Sequence, residues 1–411
     1  MNWKLFYYYG ILLPHDGKSK IYYKEGGNIY MINKIVVKVS LLSISLVLTS
    51  TAAIASTIPL MKEYFFNYSL ASIELLTTVP SLMIMIFILL SHLISRKIGS
   101  KNTVVLGLII ALISGVIPIF IKDYIIILIS RMALGIGFGL FNSLAISLIN
   151  DLFSGNEKVQ MIGFQGAVQG FGSAILTFLA GQFLKTDWNM AFAIYFIIIP
   201  IIILFILFVP NVPNNKKENQ KISLDYSIIK YVVLIFVVLM IYNAVFLKTP
   251  TLVEEQNFGN AVDTSMILTI VQIGSMITGW LFGFIYKRLQ ESTLLLALIL
   301  MAVSFLIVSF AKSLFIVSIS SALSGISFSL FAPYLVNKVS EESSLESQNF
   351  SISLLIVAAQ MAGLLSPYFL SLLGNIEIIS NSTAQVFLSG GLILIFVTVG
   401  IMIYKKYHCT V

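Results

Sequence analysis

The sequence predicts an all-α, polytopic membrane protein of twelve transmembrane helices in two pseudo-symmetric six-helix bundles. Three observations carry this. Of 411 residues, 58% are hydrophobic and only 10% charged, with a mean hydropathy of +0.96, so polar groups are too few to cover a water-soluble surface. Twelve stretches have the length and apolarity of bilayer spans, six on each side of a basic, proline-flanked linker at Pro210 to Asp225. Short patterns in the first six stretches recur in the last six.

A spanning helix needs about 20 mostly apolar residues, because a core of about 30 Å is crossed at about 1.5 Å per residue. Residues 35–58, 71–94, 103–121, 124–149, 161–184 and 189–209 meet this in the first half. Residues 228–250, 264–286, 293–311, 313–337, 347–372 and 384–404 do so in the second. Helices follow because a sheet edge exposed to lipid cannot satisfy its backbone. The domains read as a tail (1–30), a first bundle (31–209), a linker (210–227) and a second bundle (228–411).

An even span count puts both termini on one side of the membrane. Loops on that side carry Lys34, Lys38, Arg96, Lys97, Lys101, Lys158, Lys216, Lys217, Lys221, Lys230, Lys287, Arg288, Lys338, Lys405 and Lys406. The opposite loops hold Lys62, Lys122, Lys185, Lys248 and Lys312. Fifteen against five places the termini and the linker in the cytoplasm, in a multi-pass protein of the cell membrane. The net charge of +7 follows from that topology and asks for no nucleic acid.

The first span could be read as a secretory signal, with Lys34 and Lys38 before an apolar run and an Ala53-Ile54-Ala55 step, but cleavage there would leave eleven spans and spoil the charge alternation. Two readings stand for residues 1–30: a disordered or interfacial tail, or upstream sequence ahead of a start at Met31. Lys24-Glu25-Gly26-Gly27 is encodable by a purine-rich ribosome-binding stretch. The lone Cys409 forms no intrachain disulfide.

The halves share sequence. Gly135-Ile136-Gly137-Phe138-Gly139-Leu140-Phe141 returns 190 residues later as Gly325-Ile326-Ser327-Phe328-Ser329-Leu330-Phe331, every change being Gly for Ser. Gln169 and Gly172 match Gln360 and Gly363, and Arg96 matches Arg288. Parallel repeats of this kind cup a site at the membrane midplane.

The loop Ser91-His92-Leu93-Ile94-Ser95-Arg96-Lys97-Ile98-Gly99-Ser100-Lys101 resembles the glycine, aspartate, basic, glycine, basic signature of the major facilitator superfamily. Arg131 followed by Gly135 and Gly139 resembles that superfamily's fourth-helix motif, and Asp187-Trp188-Asn189-Met190-Ala191-Phe192 the usual start of its sixth helix. The resemblance covers about residues 35–405 and is most like the drug/proton antiporter branch. It implies alternating access by rocking of two bundles. Ser91 and Ser95 stand where the signature has glycine and aspartate, so Arg96 needs another acceptor, and the fifth span lacks the glycine-proline pair typical of drug–proton antiporters. The gate set is therefore Ser91, Ser95, Arg96, Gly99, Lys101 and Arg288.

Only three of the 25 basic residues are Arg, and Arg131 alone lies within a span, about 10 Å beyond Tyr124 along the helix. A bare cation there costs at least a few kcal/mol, so it has a partner. One reading makes it a cavity contact for an anion or a coupling carboxylate, with Asn142 three turns on and on the same face. The other makes it a structural cation tied to Ser50, Thr51 or Ser56 of the first span. Glu74 reads as a proton carrier, or as a carboxylate near a helix N-terminus and water beside Ser69 and Ser72. Asp151, Lys248, Glu254 and Glu255 read as interfacial charges. Gln165, Gln169, Tyr242, Asn243, Gln272 and Gln360 are uncharged candidates for contact with an amphiphilic substrate, or interhelical glue. Gly135/Gly139, Gly166/Gly170 and Gly279/Gly283 have the spacing of close helix approach.

No phosphate-binding Gly-Lys loop, HExxH or Cys/His cluster is present, so neither ATP hydrolysis nor metalloenzyme chemistry is expected, and no cofactor or metal. The partners expected are a small-molecule substrate, the lipid bilayer and protons as coupling ion, for a chain acting as a monomer. The function expected is secondary active transport, with proton-coupled efflux of small lipophilic or amphiphilic compounds ahead of proton-coupled import of a small organic anion. A non-transporting receptor comes third.

Overall fold

The computed structural model describes residues 20–25, 28–211, 228–344, 348–376 and 381–408. Most of the linker and much of the N-terminal tail, with Cys409, lie outside these. Lys20–Glu25 (β1) and Asn28–Asn33 (β2) pair antiparallel, with Lys20 opposite Asn33. This hairpin is the one departure from an all-helical chain among the described residues.

Twelve helices among those residues are long and apolar enough to span a membrane. They are α1 (Lys34–Tyr64), α2 (Leu70–Ile98), α3 (Ser100–Phe120), α4 (Tyr124–Leu152), α5 (Gly155–Phe183) and α6 (Trp188–Phe208). The second half supplies α7 (Ile229–Leu247), α8 (Ala261–Leu289), α9 (Ser292–Ser309), α10 (Leu314–Glu342), α11 (Gln348–Gly374) and α12 (Ser382–His408). A short helix, Thr249–Glu255, follows α7. The boundaries fall where capping residues permit: Asn33, Ser69, Asp123, Asn260 and Ser313 each accept a hydrogen bond from a first-turn backbone N–H.

The first and seventh spans are interrupted. In α1, regular helix gives way to 3-10 stretches at Ile44–Leu46 and Ser50–Thr57. Hydroxyls here bond back to the chain, Ser43 to the Ser40 carbonyl and Thr57 to that of Ile54, competing with regular helix. Pro59 then restarts it. α7 breaks at Asn243 before Ala244–Leu247. Interrupted helices in corresponding places of two halves are what parallel repeats produce.

The chain folds as two compact units. One gathers the described residues of Met1–Thr49, Leu82–Gly172 and Phe192–Glu218; the other those of Ser50–Ser81, Ser173–Ala191 and Asn219–Val411. The second unit thus holds α7 to α12 with the later part of α1, the first turns of α2, the later part of α5 and the first residues of α6, the ends called "far" below.

The internal repeat is visible in packing. In the first unit a Cβ on Gly137 would lie 2.6 Å from the Gly107 carbonyl oxygen, so α3 and α4 touch through backbone. In the second unit, 190 residues on (107 + 190 = 297; 137 + 190 = 327), the Ser327 hydroxyl donates to the Ala297 carbonyl at 2.7 Å. One close helix crossing is built twice, by a glycine and by a serine whose added oxygen is used.

Close approach is real at some of the glycine pairs and absent at others. A Cβ on Gly139 would meet Phe87 at 2.7 Å, and one on Gly172 would meet the Leu46 carbonyl oxygen at 2.4 Å, against the 3-10 stretch of α1. Gly166, Gly279 and Gly283 face open space instead, so their spacing does not mark helix contact here. The i, i+4 pattern finds small residues but not the side of the helix they lie on.

Candidate functional site

Arg131 is wholly buried in the first unit, and its partners lie on α3 and α6 rather than on α1. Its guanidinium donates to the Tyr195 hydroxyl at 3.2 Å and to the carbonyls of Ser114 and Gly115 at 3.4 and 3.2 Å. The fork also stacks over the rings of Phe192 and Tyr195, 4.8 and 5.1 Å from their centroids. Pro118 explains the first carbonyl: it sits four residues after Ser114 and has no N–H to give it. Arg131 supplies that missing donor, a task suited to a planar cation that keeps its charge without a carboxylate. For the reading of a structural cation, the partners are thus Tyr195, Ser114 and Gly115 in place of Ser50, Thr51 or Ser56. The signal was present, since Pro118 in a span leaves an orphan acceptor, but which helix α4 would face was not readable. Asn142, half-buried, lies about 16 Å further along α4.

Glu74 is 0% exposed on α2, and the Lys248 ammonium lies 2.6 Å from its Oε1, with the lysine side chain 5% exposed. Full burial contradicts the reading of Glu74 as a carboxylate that reaches water beside Ser69 and Ser72, and Lys248 is not the interfacial charge that its position suggested. The N-terminus of α2 is capped by Ser69, which accepts from the Ser72 N–H, so it does not need Glu74. Oε2 of Glu74 accepts no hydrogen bond.

The uncharged candidates fall in both units. Gln165 is buried in α5, and the Gln169 backbone carbonyl accepts from Thr49 at 3.5 Å. In the second unit, Tyr242 stacks flat on Phe328, with centroids 4.3 Å apart and planes 9° from parallel, and its hydroxyl reaches Ser275. Asn243 sits at the break in α7, and Gln272 and Gln360 are half-buried on α8 and α11. None of these side chains bonds to another of the set among the described residues. They remain separate polar points rather than a joined network.

In the gate motif, Gly99 has φ +89°, the left-handed region that glycine adopts freely, and it turns the chain from α2 into α3. Ser91 shares a hydrogen bond with Ser143 at 2.9 Å, and Ser95 donates to the His92 carbonyl. The cation that meets a helix C-terminus is Lys101, whose ammonium donates to the Ile206 carbonyl of α6 at 2.8 Å. Arg96 is exposed, with no protein acceptor among the described residues. Arg288 is exposed as well, its guanidinium 5.5 Å from the Phe284 ring.

Two charged clusters near the termini went unread in the sequence. Glu157 joins Lys34 and Lys38, each at 2.6 Å. Partial burial alone would raise this carboxyl, but the two ammoniums prevail and hold it below the usual range. In the second unit Lys338 pairs with Glu291 and Glu341, Tyr334 donates to Glu291 at 2.7 Å, and Lys230 meets Glu342 at 2.9 Å. The i, i+4 spacing of Lys34 and Lys38 was the available signal.

A model of the Major Facilitator Superfamily matches residues 40–367. No curated protein matches significantly. Among solved structures, the POT family transporter PepTSo superposes with a TM-score of 0.73 at 12% identity, covering 92% of this chain and 98% of that one. The nucleoside transporter NupG gives 0.69 at 12%, covering 89% and 99%. The inward-open xylose transporter XylE from E. coli gives 0.66 at 14%, covering 88% and 94%. With a family model spanning most of the sequence and the fold matched along nearly its whole length, the chain belongs to the Major Facilitator Superfamily and is a multi-pass secondary transporter, not an enzyme.

Proposed function

We propose that this transporter exports small lipophilic or amphiphilic compounds in exchange for protons, by alternating access, with both termini in the cytoplasm. The observation that carries the substrate class is the commitment of Arg131. Its two terminal nitrogens donate to Tyr195, Ser114 and Gly115 at full burial while Nε finds no partner among the described residues, and this engagement with protein groups weighs against a role in binding an anionic substrate. The anion-import reading loses its contact. Within the first unit Asn142, Gln165 and Gln169, and within the second Tyr242, Asn243, Gln272 and Gln360, are uncharged polar or aromatic groups of the kind that suits a molecule with a large apolar part. Glu74 supports the choice of the proton as coupling ion, being a carboxylate enclosed within a span. The bias of fifteen basic residues to five supports the orientation.

The test is flux in proteoliposomes with an imposed pH gradient, screening lipophilic dyes, antibiotics and organic acids. Gradient-driven dye or antibiotic movement supports the reading. Movement of organic acids alone, or of nothing, overturns it.

A further inference from the structure

The Glu74–Lys248 pair joins segments far apart in sequence, the first helical turns of α2 and the junction between α7 and the short helix Thr249–Glu255. Both lie in the second unit. The lysine stands on a firm platform, because Val253 of the short helix packs into a core cluster with Ile267 of α8 and Val317 of α10. Glu74 stands on a helix that packs against α11 and the 3-10 stretch of α1. The pair is therefore a cross-link between a first-half and a second-half element.

Its surroundings hold more polar atoms than bonds. Among the described residues, the hydroxyls of Ser56, Thr78, Thr249 and Thr251 are buried without a hydrogen-bond partner, and Oε2 of Glu74 has none either. Thr78 follows Glu74 by four residues and Thr251 follows Lys248 by three, so each shares a helix face with its ion. Ser56 sits on the stretch of α1 that packs on both segments. Unpaired buried hydroxyls are costly, and they are placed where a carboxyl or ammonium that lost its partner would need new ones.

The other ionisable groups nearby face elsewhere. On α1, Lys62 donates to the Phe66 carbonyl and Glu63 is exposed. Glu255 is exposed, and so is Glu254, which partial burial, then Glu63 and Glu255, push above the usual carboxylate range. Asp263 caps α8 with Asn260. On α11 the described face carries only Tyr368, which is exposed.

We propose that Glu74 and Lys248 form a proton-operated latch on the far side of the transporter, with the proton as ligand of the site. With Glu74 ionised, the pair holds α2 against the segment after α7. A proton from far-side water adds to a carboxylate oxygen of Glu74, and no other covalent bond changes. The net charge of the pair goes from zero to +1. Lys248 keeps its three protons and passes from the carboxylate to the threonine hydroxyls and entering water. The far ends of α2 and α7 are then free to part, and when they close again the ammonium favours the carboxylate and expels the proton. This rests on the proton-coupled reading above, but assigns the site within it.

The experiment uses the full chain in proteoliposomes, with Cys409→Ser removing the natural thiol and Ser56→Cys, nearly isosteric and fully buried, as reporter. A membrane-impermeant maleimide is applied from the far side. With each rate divided by that of a free thiol at the same pH, so that the falling thiolate fraction cancels, labelling is expected to be slow at pH 7.5 and at least tenfold faster at pH 5. Glu74→Gln and Lys248→Gln are each expected to label fast at both values, whereas Glu254→Gln keeps the wild-type response. The charge swap Glu74→Lys with Lys248→Glu is expected to restore slow labelling at pH 7.5. Should single variants fold poorly, the neutral pair Glu74→Gln with Lys248→Met gives the same readout without a stranded charge. Slow labelling of Glu74→Gln or of the neutral pair at both values, or a pH response that survives either change, overturns the latch. Proton-driven flux unchanged by Glu74→Gln, with labelling also unchanged, removes the latch and leaves the functional reading. A normal labelling pattern in a protein without proton-driven flux does the reverse.

Discussion

Arg131→Ala tests whether the buried cation is structural. In the membrane an interhelical hydrogen bond contributes about 0.6 kcal/mol on average, so the three to Tyr195, Ser114 and Gly115 amount to about 2 kcal/mol. Desolvated stacking on Phe192 and Tyr195 adds about 2 kcal/mol, for a total loss of about 4 kcal/mol. Arg131→Lys keeps a charge but not the fork, and an expected loss of about 2 kcal/mol places it between the two. Pro118→Ala returns an N–H to the Ser114 carbonyl, so the double variant Pro118→Ala/Arg131→Ala is expected to lose about 1 kcal/mol less than the two single losses added. Unfolding of purified protein in mixed micelles measures all four. Transport per folded molecule is expected to stay near wild type in Arg131→Ala. Wild-type stability with abolished flux, or strict additivity of the two changes, would refute the reasoning.

Gly137→Ala and Gly172→Ala push a Cβ into a backbone oxygen and are expected to destabilise by about 2 kcal/mol or more, whereas Gly166→Ala and Gly279→Ala meet open space and are expected to stabilise by about 0.5 kcal/mol, all read by thermal unfolding. Glu157→Gln is expected to cost about 0.5 kcal/mol at pH 7, a surface-sized value for side chains exposed by about a quarter to a third. Because pairing lowers the Glu157 carboxyl from 4.5, that contribution is present above its unfolded pKa and fades as pH falls through the lower folded value. The difference between wild type and Glu157→Gln should thus vanish in acid; a difference that persists there contradicts the assignment. Tyr242→Ala removes the face stacked on Phe328 and is expected to raise the substrate concentration for half-maximal flux several-fold, with little change for Tyr242→Phe.

The spans were legible because apolar length is a one-dimensional property, and the repeat because a seven-residue pattern recurs at a fixed offset, putting Gly137 and Ser327 at corresponding helix crossings that differ in how closely the backbones approach. What failed to be legible was direction. The position of Arg131 within a span was readable, but its rotation toward α3 and α6 depends on how α4 packs. The same applies to Gly166 and Gly279, whose spacing is right for contact and whose side of the helix is not. Glu74 and Lys248, 174 residues apart (248 − 74), each looked like a charge at a span end. Only folding brings the two together, and only then does burial distinguish them from Glu254 and Glu255 close by. The gate motif shows the opposite case, where Gly99 was readable because a positive φ is a local requirement that glycine meets wherever the chain goes next.

The most direct test of the account is proton-driven accumulation of a lipophilic dye in proteoliposomes whose embedded protein has its termini outward. With the lumen made acidic, the account predicts that dye accumulates inside while the pH gradient collapses faster than in empty vesicles, and that dissipating the gradient beforehand abolishes accumulation. Dye movement indifferent to the gradient, or a gradient that decays no faster with substrate than without, would contradict it.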